Sequence, residues 1–143
     1  MTIETANVVL DSSAVLAWVF GEKGADTVDR LLPAAIVSPA NLAETAFVCR
    51  QRGYLRPTAD LFQDLTALGL RMAEAQTAQQ AARAGDLLHL SRQDRQLHGG
   101  RTLALGDALC IALGEDLAVP LVTGDTLWKD MEEHLATPVH LFR

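Results

Sequence analysis

Aromatic side chains are scarce: two tryptophans, four phenylalanines and one tyrosine in 143 residues. The core must be filled by Leu, Ala and Val, which favours helices laid over short aliphatic strands. Cysteine is rarer still. Cys49 and Cys110 form no CxxC pair and both fall in apolar helical patterns, which excludes a disulfide framework and predicts two buried thiols. His89, His98, His134 and His140 stand apart from one another, so no Cys/His set has zinc spacing. Positive charge is also short, with Asp+Glu 18 against Lys+Arg 12 and a net charge of −6. That argues against a broad basic surface for nucleic acid and leaves a local patch open. No apolar run approaches the roughly 18 residues of a membrane span. The start, MTIETANVVLD, has neither a basic n-region nor an apolar h-region, and the expected location is the cytoplasm, with no membrane contact.

What is present is a set of short aliphatic runs alternating with helical patterns. Residues 8–10, 34–37, 70–75, 119–124 and 138–142 read as strands, rich in Val, Ile and Leu. Helices are predicted over 13–20, 25–32, 39–53, 57–69, 77–93, 103–117 and 125–135. Ser38-Pro39 is a helix start, with Ser at the cap and Pro in the first turn. Thr58 is expected to cap the fourth helix, and Gly69 to stop it. The helix over 103–117 is apolar almost all round, which predicts burial. Alternating strands and helices imply βαβ units and a mostly parallel sheet of four to five strands covered on both faces, a three-layer α/β/α arrangement. No repeat, low-complexity tract or linker divides residues 1–143, which predicts a single domain.

Three acids occupy related positions in this scheme. Asp11 follows the first strand, Asp125 follows the LVT strand, and Asp107 lies in the first turn of the apolar helix. The carboxyl ends of parallel strands share one edge, where ligands bind. Taken singly, Asp11 or Asp125 is adequately explained as a helix cap, worth about 0.3–1 kcal/mol. Glu44 is harder to explain that way. It falls in the second turn of its helix, beyond Asn41 at the capping-box position, and borders an apolar stripe. Asp107 has similar apolar company. A carboxylate on an apolar face is costly unless compensated, and clustered carboxylates raise one another's pKa. A hard divalent cation such as Mg²⁺ or Mn²⁺ relieves both costs. Such an ion polarises a phosphodiester and activates water, so the constellation favours metal-assisted phosphodiester hydrolysis.

The stretches VVLDSSAVLAW, SPANLAETAFV, LALGDALCIALG and LVTGDTLW, in that order and spacing, resemble PIN-domain ribonucleases, and most of all the VapC-type toxins of toxin–antitoxin pairs. The resemblance spans essentially the whole chain. It implies a PIN-like fold and a Mg²⁺- or Mn²⁺-dependent endoribonuclease whose acidic site is Asp11, Glu44, Asp107 and Asp125. It further implies that Ser12 and Thr123 support the carboxylates or bound water, a role compatible with helix capping. An RNA substrate (tRNA or rRNA among the candidates), a cognate VapB-type antitoxin and a homodimer come from the resemblance alone. Gly106 departs from the family pattern, standing where alanine or serine is common, and is expected to loosen the start of its helix. Leu127 stands where some relatives carry another acid, which leaves one metal or two open.

Two arginine groups are candidates for holding a phosphate backbone. Arg50, Arg52 and Arg56 form one; Arg92, Arg95 and Arg101 form the other and lead into the helix of Asp107. The second group is the expected substrate contact, against the alternative of solvated surface pairs. Trp18 to Phe20 reads as core packing or as a groove for a partner helix. Two other functions compete. A receiver-like phosphoacceptor domain would need an acid pair after the first strand, where this chain has LDSS, and an aspartate at a mid-chain strand end, where only Glu74 is offered. A catalytically inactive PIN-type interaction module would not need all four acids.

Overall fold

The computed structural model describes residues 7–93 and 98–143. Five short strands form one sheet: β1 (Val8–Leu10), β2 (Ala35–Val37), β3 (Arg71–Met72), β4 (Leu121–Thr123) and β5 (Val139–Leu141). Their order is β3-β2-β1-β4-β5, and every pair is parallel. Val9 stands opposite Ile36 on one side and Leu121 on the other. Hydrophobic periodicity of two sorts the residues between the faces. Leu10 and Val122 enter the cluster formed with Val15, Val28, Leu61 and Leu65, whereas Val9 and Leu121 enter the cluster with Leu87, Ile111, Trp128 and Met131. Both faces are therefore covered, as a parallel sheet requires.

The first cluster is built by α1 (Ser12–Phe20), α2 (Ala25–Leu31), α3 (Pro39–Gln51) and α4 (Thr58–Ala67); the second by α5 (Ala78–Gln93), α6 (Leu105–Leu117) and α7 (Thr126–Asp130). In α6, Ala108 and Cys110 to Gly114 are all buried, as its all-round apolar pattern predicts. Cys49 and Cys110 are free and buried. Among the described residues no helix is long and apolar enough to cross a membrane.

Three local expectations change. Thr58 is not the cap of α4: Pro57 takes that position in extended conformation, no side chain bonds the helix end, and Thr58 is already helical. A proline fixes the φ of the entering chain, and this moves the start by one residue. The third strand is only two residues long, because Leu70 turns into the core and Glu74 into solvent. The helix expected over 125–135 breaks after Asp130 into a 3-10 turn, Glu132–His134. Glu132 leaves the helical register to accept the Val139 amide of β5 at 2.6 Å.

Candidate active site

The strand order reverses between β1 and β4, the position in an open parallel sheet where a crevice forms at the carboxyl ends. β1 ends in Asp11 and β4 ends in Thr123-Gly124-Asp125. Asp11 caps α1, its Oδ1 accepting the Ser12 amide at 2.8 Å. Asp125 caps α7, accepting the Leu127 amide at 2.9 Å. The capping role is real for both, and it also fixes where the carboxylates stand.

Asp11 is only 3% exposed, so its charge needs donors. Thr123 and Ser13 each donate a hydroxyl to Oδ2 at 2.8 Å. The Ser12 hydroxyl lies at 3.5 Å from Oδ1. Thr123 Oγ1 in turn accepts the Asp125 amide at 3.0 Å, and Ser13 Oγ accepts the Gly124 amide at 3.1 Å. One carboxylate thus laces the ends of β1 and β4 together. Burial still pushes the Asp11 pKa up, against the bonds from Thr123, Ser13 and Ser12, and Asp125 adds repulsion.

The other two acids arrive on helices. Ser38 caps α3 by accepting the Asn41 amide at 3.1 Å, and Asn41 Nδ2 donates to Glu44 Oε1 at 2.9 Å. Burial raises the Glu44 pKa; Asn41 opposes it, Asp11 adds to it and the Ser12 hydroxyl opposes it. Asp107 in the first turn of α6 accepts the Ala104 amide at 2.9 Å. Its pKa is raised to about 7, first by burial, against that amide, and then by Asp11, Asp125 and Glu44. Four carboxylates drawn from β1, α3, α6 and the β4 end therefore repel one another across one edge of the sheet.

Every donor atom in this group is a hard oxygen, which fits Mg²⁺ or Mn²⁺ and not a soft metal. Among the described residues no three His, Cys, Asp or Glu side chains are grouped so as to hold an ion together; each carboxylate faces a donor of its own chain. That suits an ion that takes one or two carboxylates and keeps several waters. Asp107, raised to about 7 by burial and by its acidic neighbours, is a group that a divalent cation would ionise.

Of the two residues expected to support the carboxylates, Thr123 bonds Asp11 through its hydroxyl and Ser12 chiefly through its backbone amide. Two partners were not singled out in the sequence: Ser13, the second serine of LDSS, and Asn41, three residues before Glu44 and on the same helix face. The i,i+3 spacing was the available signal for Asn41.

The arginines divide. Arg52 pairs with Glu22 at 3.3 Å and lies over the Phe20 ring, Arg56 pairs with Asp64, and Arg50 bonds the Tyr54 carbonyl. These are internal surface pairs. Arg101 donates to the His98 carbonyl, to Thr126 Oγ1 at 2.6 Å and to Asp130 at 2.5 Å, which holds it on α7, the helix that Asp125 caps. Arg92 is exposed and bonds the Leu88 carbonyl within its own helix. Arg95 lies outside the described residues. Trp18, Val19 and Phe20 pack against the core, with Trp18 Nε1 donating to Asp29 at 2.9 Å and Phe20 meeting Tyr54 edge-on. A hollow of about 310 Å³ between α5 and α6 lies apart from the carboxylates. Its polar groups bind one another, Arg83 to Glu115 at 2.7 Å and Gln80 to Asp116 at 2.9 Å, so it is a structural clamp.

The PIN domain family model matches residues 8–133. The sarcin-ricin-loop-cleaving toxin VapC20 of Mycobacterium tuberculosis is similar in structure, with TM-score 0.60 and 21% identity over 80% of this chain and 87% of that one. A toxin–antitoxin complex from Klebsiella pneumoniae gives TM-score 0.67 at 17% identity over 96% and 98%. VapBC2 from Rickettsia felis, bound to a DNA fragment from its promoter, gives 0.63 at 15% identity over 94% and 97%. No curated protein sequence matches significantly.

Proposed function

The chain belongs to the PIN domain family, and from that premise we propose that it is a Mg²⁺- or Mn²⁺-dependent endoribonuclease, the toxin of a VapBC-type toxin–antitoxin pair. The observation that carries the reading is the gathering of Asp11, Glu44, Asp107 and Asp125, from four separate segments, at the reversal point of the sheet. The fold likeness to VapC20 and to toxin–antitoxin complexes supports the toxin assignment. On this reading the chain acts in the cytoplasm, on RNA such as tRNA or rRNA, as a homodimer silenced by a VapB-type antitoxin.

Asp11, Glu44, Asp107 and Asp125 would hold the cation, directly or through water. When bound, the ion supplies Lewis-acid polarisation of the phosphodiester and lowers the pKa of water. The protein's own work is positional. Thr123, Ser13 and Ser12 fix both oxygens of Asp11, so it meets its ligand without first reorganising. Asp107, whose pKa is raised to about 7, would give up its proton in order to hold a cation. Arg92, Arg95 and Arg101 are assigned to the RNA backbone, with Arg101 held beside the Asp125 end of the site by Thr126 and Asp130.

The test compares wild type with Asp11→Asn on a pool of structured RNAs, with and without Mg²⁺ or Mn²⁺. Cleavage by wild type with metal alone supports the reading. Equal cleavage by both proteins places the site elsewhere. The receiver-like alternative loses its ground with the family match, and the end of β3 presents Glu74 in place of the acceptor aspartate it would need.

A further inference from the structure

Gly106 is the second residue of α6, and its φ is not in the left-handed region. Backbone conformation therefore does not call for glycine there, and alanine would be the better helix former. The reason for glycine lies above it. A Cβ at position 106 would stand 2.3 Å from Glu44 Oε1 and 3.1 Å from its Cδ, well inside van der Waals contact. The carboxylate of Glu44 rests on the bare Cα of Gly106. Asn41, which is 0% exposed, completes the seat: its Nδ2 lies 2.9 Å from Glu44 Oε1 and 3.5 Å from the Gly106 carbonyl. Its Oδ1 accepts the Ser38 hydroxyl at 3.2 Å, which turns the amide so that nitrogen faces Glu44.

We propose that Gly106 and Asn41 are positioning residues that set the depth of the Glu44 carboxylate, letting α3 deliver it against the first turn of α6 beside Asp107. Glu44 has rotatable bonds between backbone and carboxylate, and helix α3 alone does not fix its reach. The missing Cβ gives it room, and the Asn41 amide gives it direction. The expected loosening of the helix start then has a purpose: the position trades helix propensity for the approach of an acid. The inference rests on the metal reading of the site, and its test separates the two.

Mn²⁺ is titrated calorimetrically into RNA-free wild type, Asp11→Asn, Gly106→Ala, Asn41→Ala, Glu44→Ala and Glu44→Ala/Gly106→Ala, with thermal melts of each metal-free protein. Wild type binds and Asp11→Asn binds far more weakly if the metal reading holds; equal binding by these two, or none by wild type, overturns that reading and this inference with it. Given that difference, Gly106→Ala lowers Mn²⁺ affinity about tenfold, the scale of a lost supporting contact, while its melting temperature stays level or rises because alanine favours helix. Asn41→Ala lowers affinity likewise. In the Glu44→Ala background, Gly106→Ala changes affinity no further. Wild-type affinity in Gly106→Ala, or a full further loss in the Glu44→Ala background, overturns the inference and assigns the close approach to packing or to Asp107 instead.

Discussion

At neutral pH the Asp107 carboxyl stands near its titration midpoint, because burial and the charges of Asp11, Asp125 and Glu44 outweigh the Ala104 amide and bring its pKa to about 7. An acid whose folded pKa exceeds its ordinary value, here 3.8, binds its proton more tightly in the folded state. Stability of the metal-free protein then falls as pH rises from about 4 to about 7. Asp107→Asn keeps an oxygen for the Ala104 amide and removes the charge. Denaturant melts in chelator should show it stabilised by about 1–3 kcal/mol at pH 8, with a flatter profile below. An unchanged profile would mean that Asp107 is less buried, and its acidic neighbours less close, than the structure places them. Thr123 makes a second residue-scale case: it is fully buried, donates to Asp11 and accepts the Asp125 amide. Thr123→Val keeps the shape and strips both bonds, and should cost about 1–3 kcal/mol in the same melts. Both acids at strand ends were legible because the carboxyl edge of a parallel sheet follows from topology alone, whereas Ser12 and Thr123 were pointed to only by the resemblance. Ser13 was not separable from Ser12, because which hydroxyl reaches Oδ2 depends on the first turn of α1.

Among the elements, α5 and α6 are fastened by a polar clamp as well as by apolar packing. Arg83 bonds both oxygens of Glu115 at 2.7 and 3.0 Å, and Glu115 also accepts the Ala136 amide at 2.8 Å. Burial alone would raise the Glu115 pKa, but the Arg83 bonds and the Ala136 amide outweigh it and hold it low. Its contribution is present above the ordinary carboxylate range and fades as pH falls through the lowered value, the opposite sign to Asp107. Arg83→Met should cost about 1–2 kcal/mol at pH 7 and less in acid strong enough to protonate Glu115, checked by denaturant melts at both. An equal cost at both pH values would assign the arginine to packing. This clamp spans residues far apart in sequence and could not be read from it. The same holds for the break after α7, where Glu132 answers to β5. Elements whose signals are local were legible to within a residue or two: the aliphatic triplets of β1, β2 and β4, the Ser38-Pro39 start of α3, and the apolar α6. Thr58 misled because a threonine after proline looks like a cap, whereas the proline had already set the entry.

Over the whole molecule, acids exceed bases by 18 to 12, and several bases are spent on ion pairs: Arg52 on Glu22, Arg56 on Asp64, Arg83 on Glu115, Arg101 on Asp130 and Lys129 on Glu132. Among the described residues these pairs reduce the positive charge that a polyanion would meet. RNA affinity should depend only modestly on salt, and replacing Arg92, Arg95 and Arg101 together by Ala should reduce the log–log salt slope by about 2. An unchanged slope in filter binding would remove those arginines from the interface. The net charge excluded a broad basic surface at the outset, and the ion pairs show how far the remaining positive charge is already committed.

The central claim is that this edge of four carboxylates directs water onto an RNA phosphodiester with a divalent cation. Cleavage of a defined RNA by the purified protein in Mn²⁺ and heavy-oxygen water, with mass analysis of the first-formed ends, tests it most directly. Hydrolysis at this site leaves one solvent oxygen in the terminal phosphate, no 2′,3′-cyclic phosphate, and no product from Asp11→Asn or in chelator. A cyclic phosphate formed at first cleavage, or cleavage surviving Asp11→Asn, would contradict it.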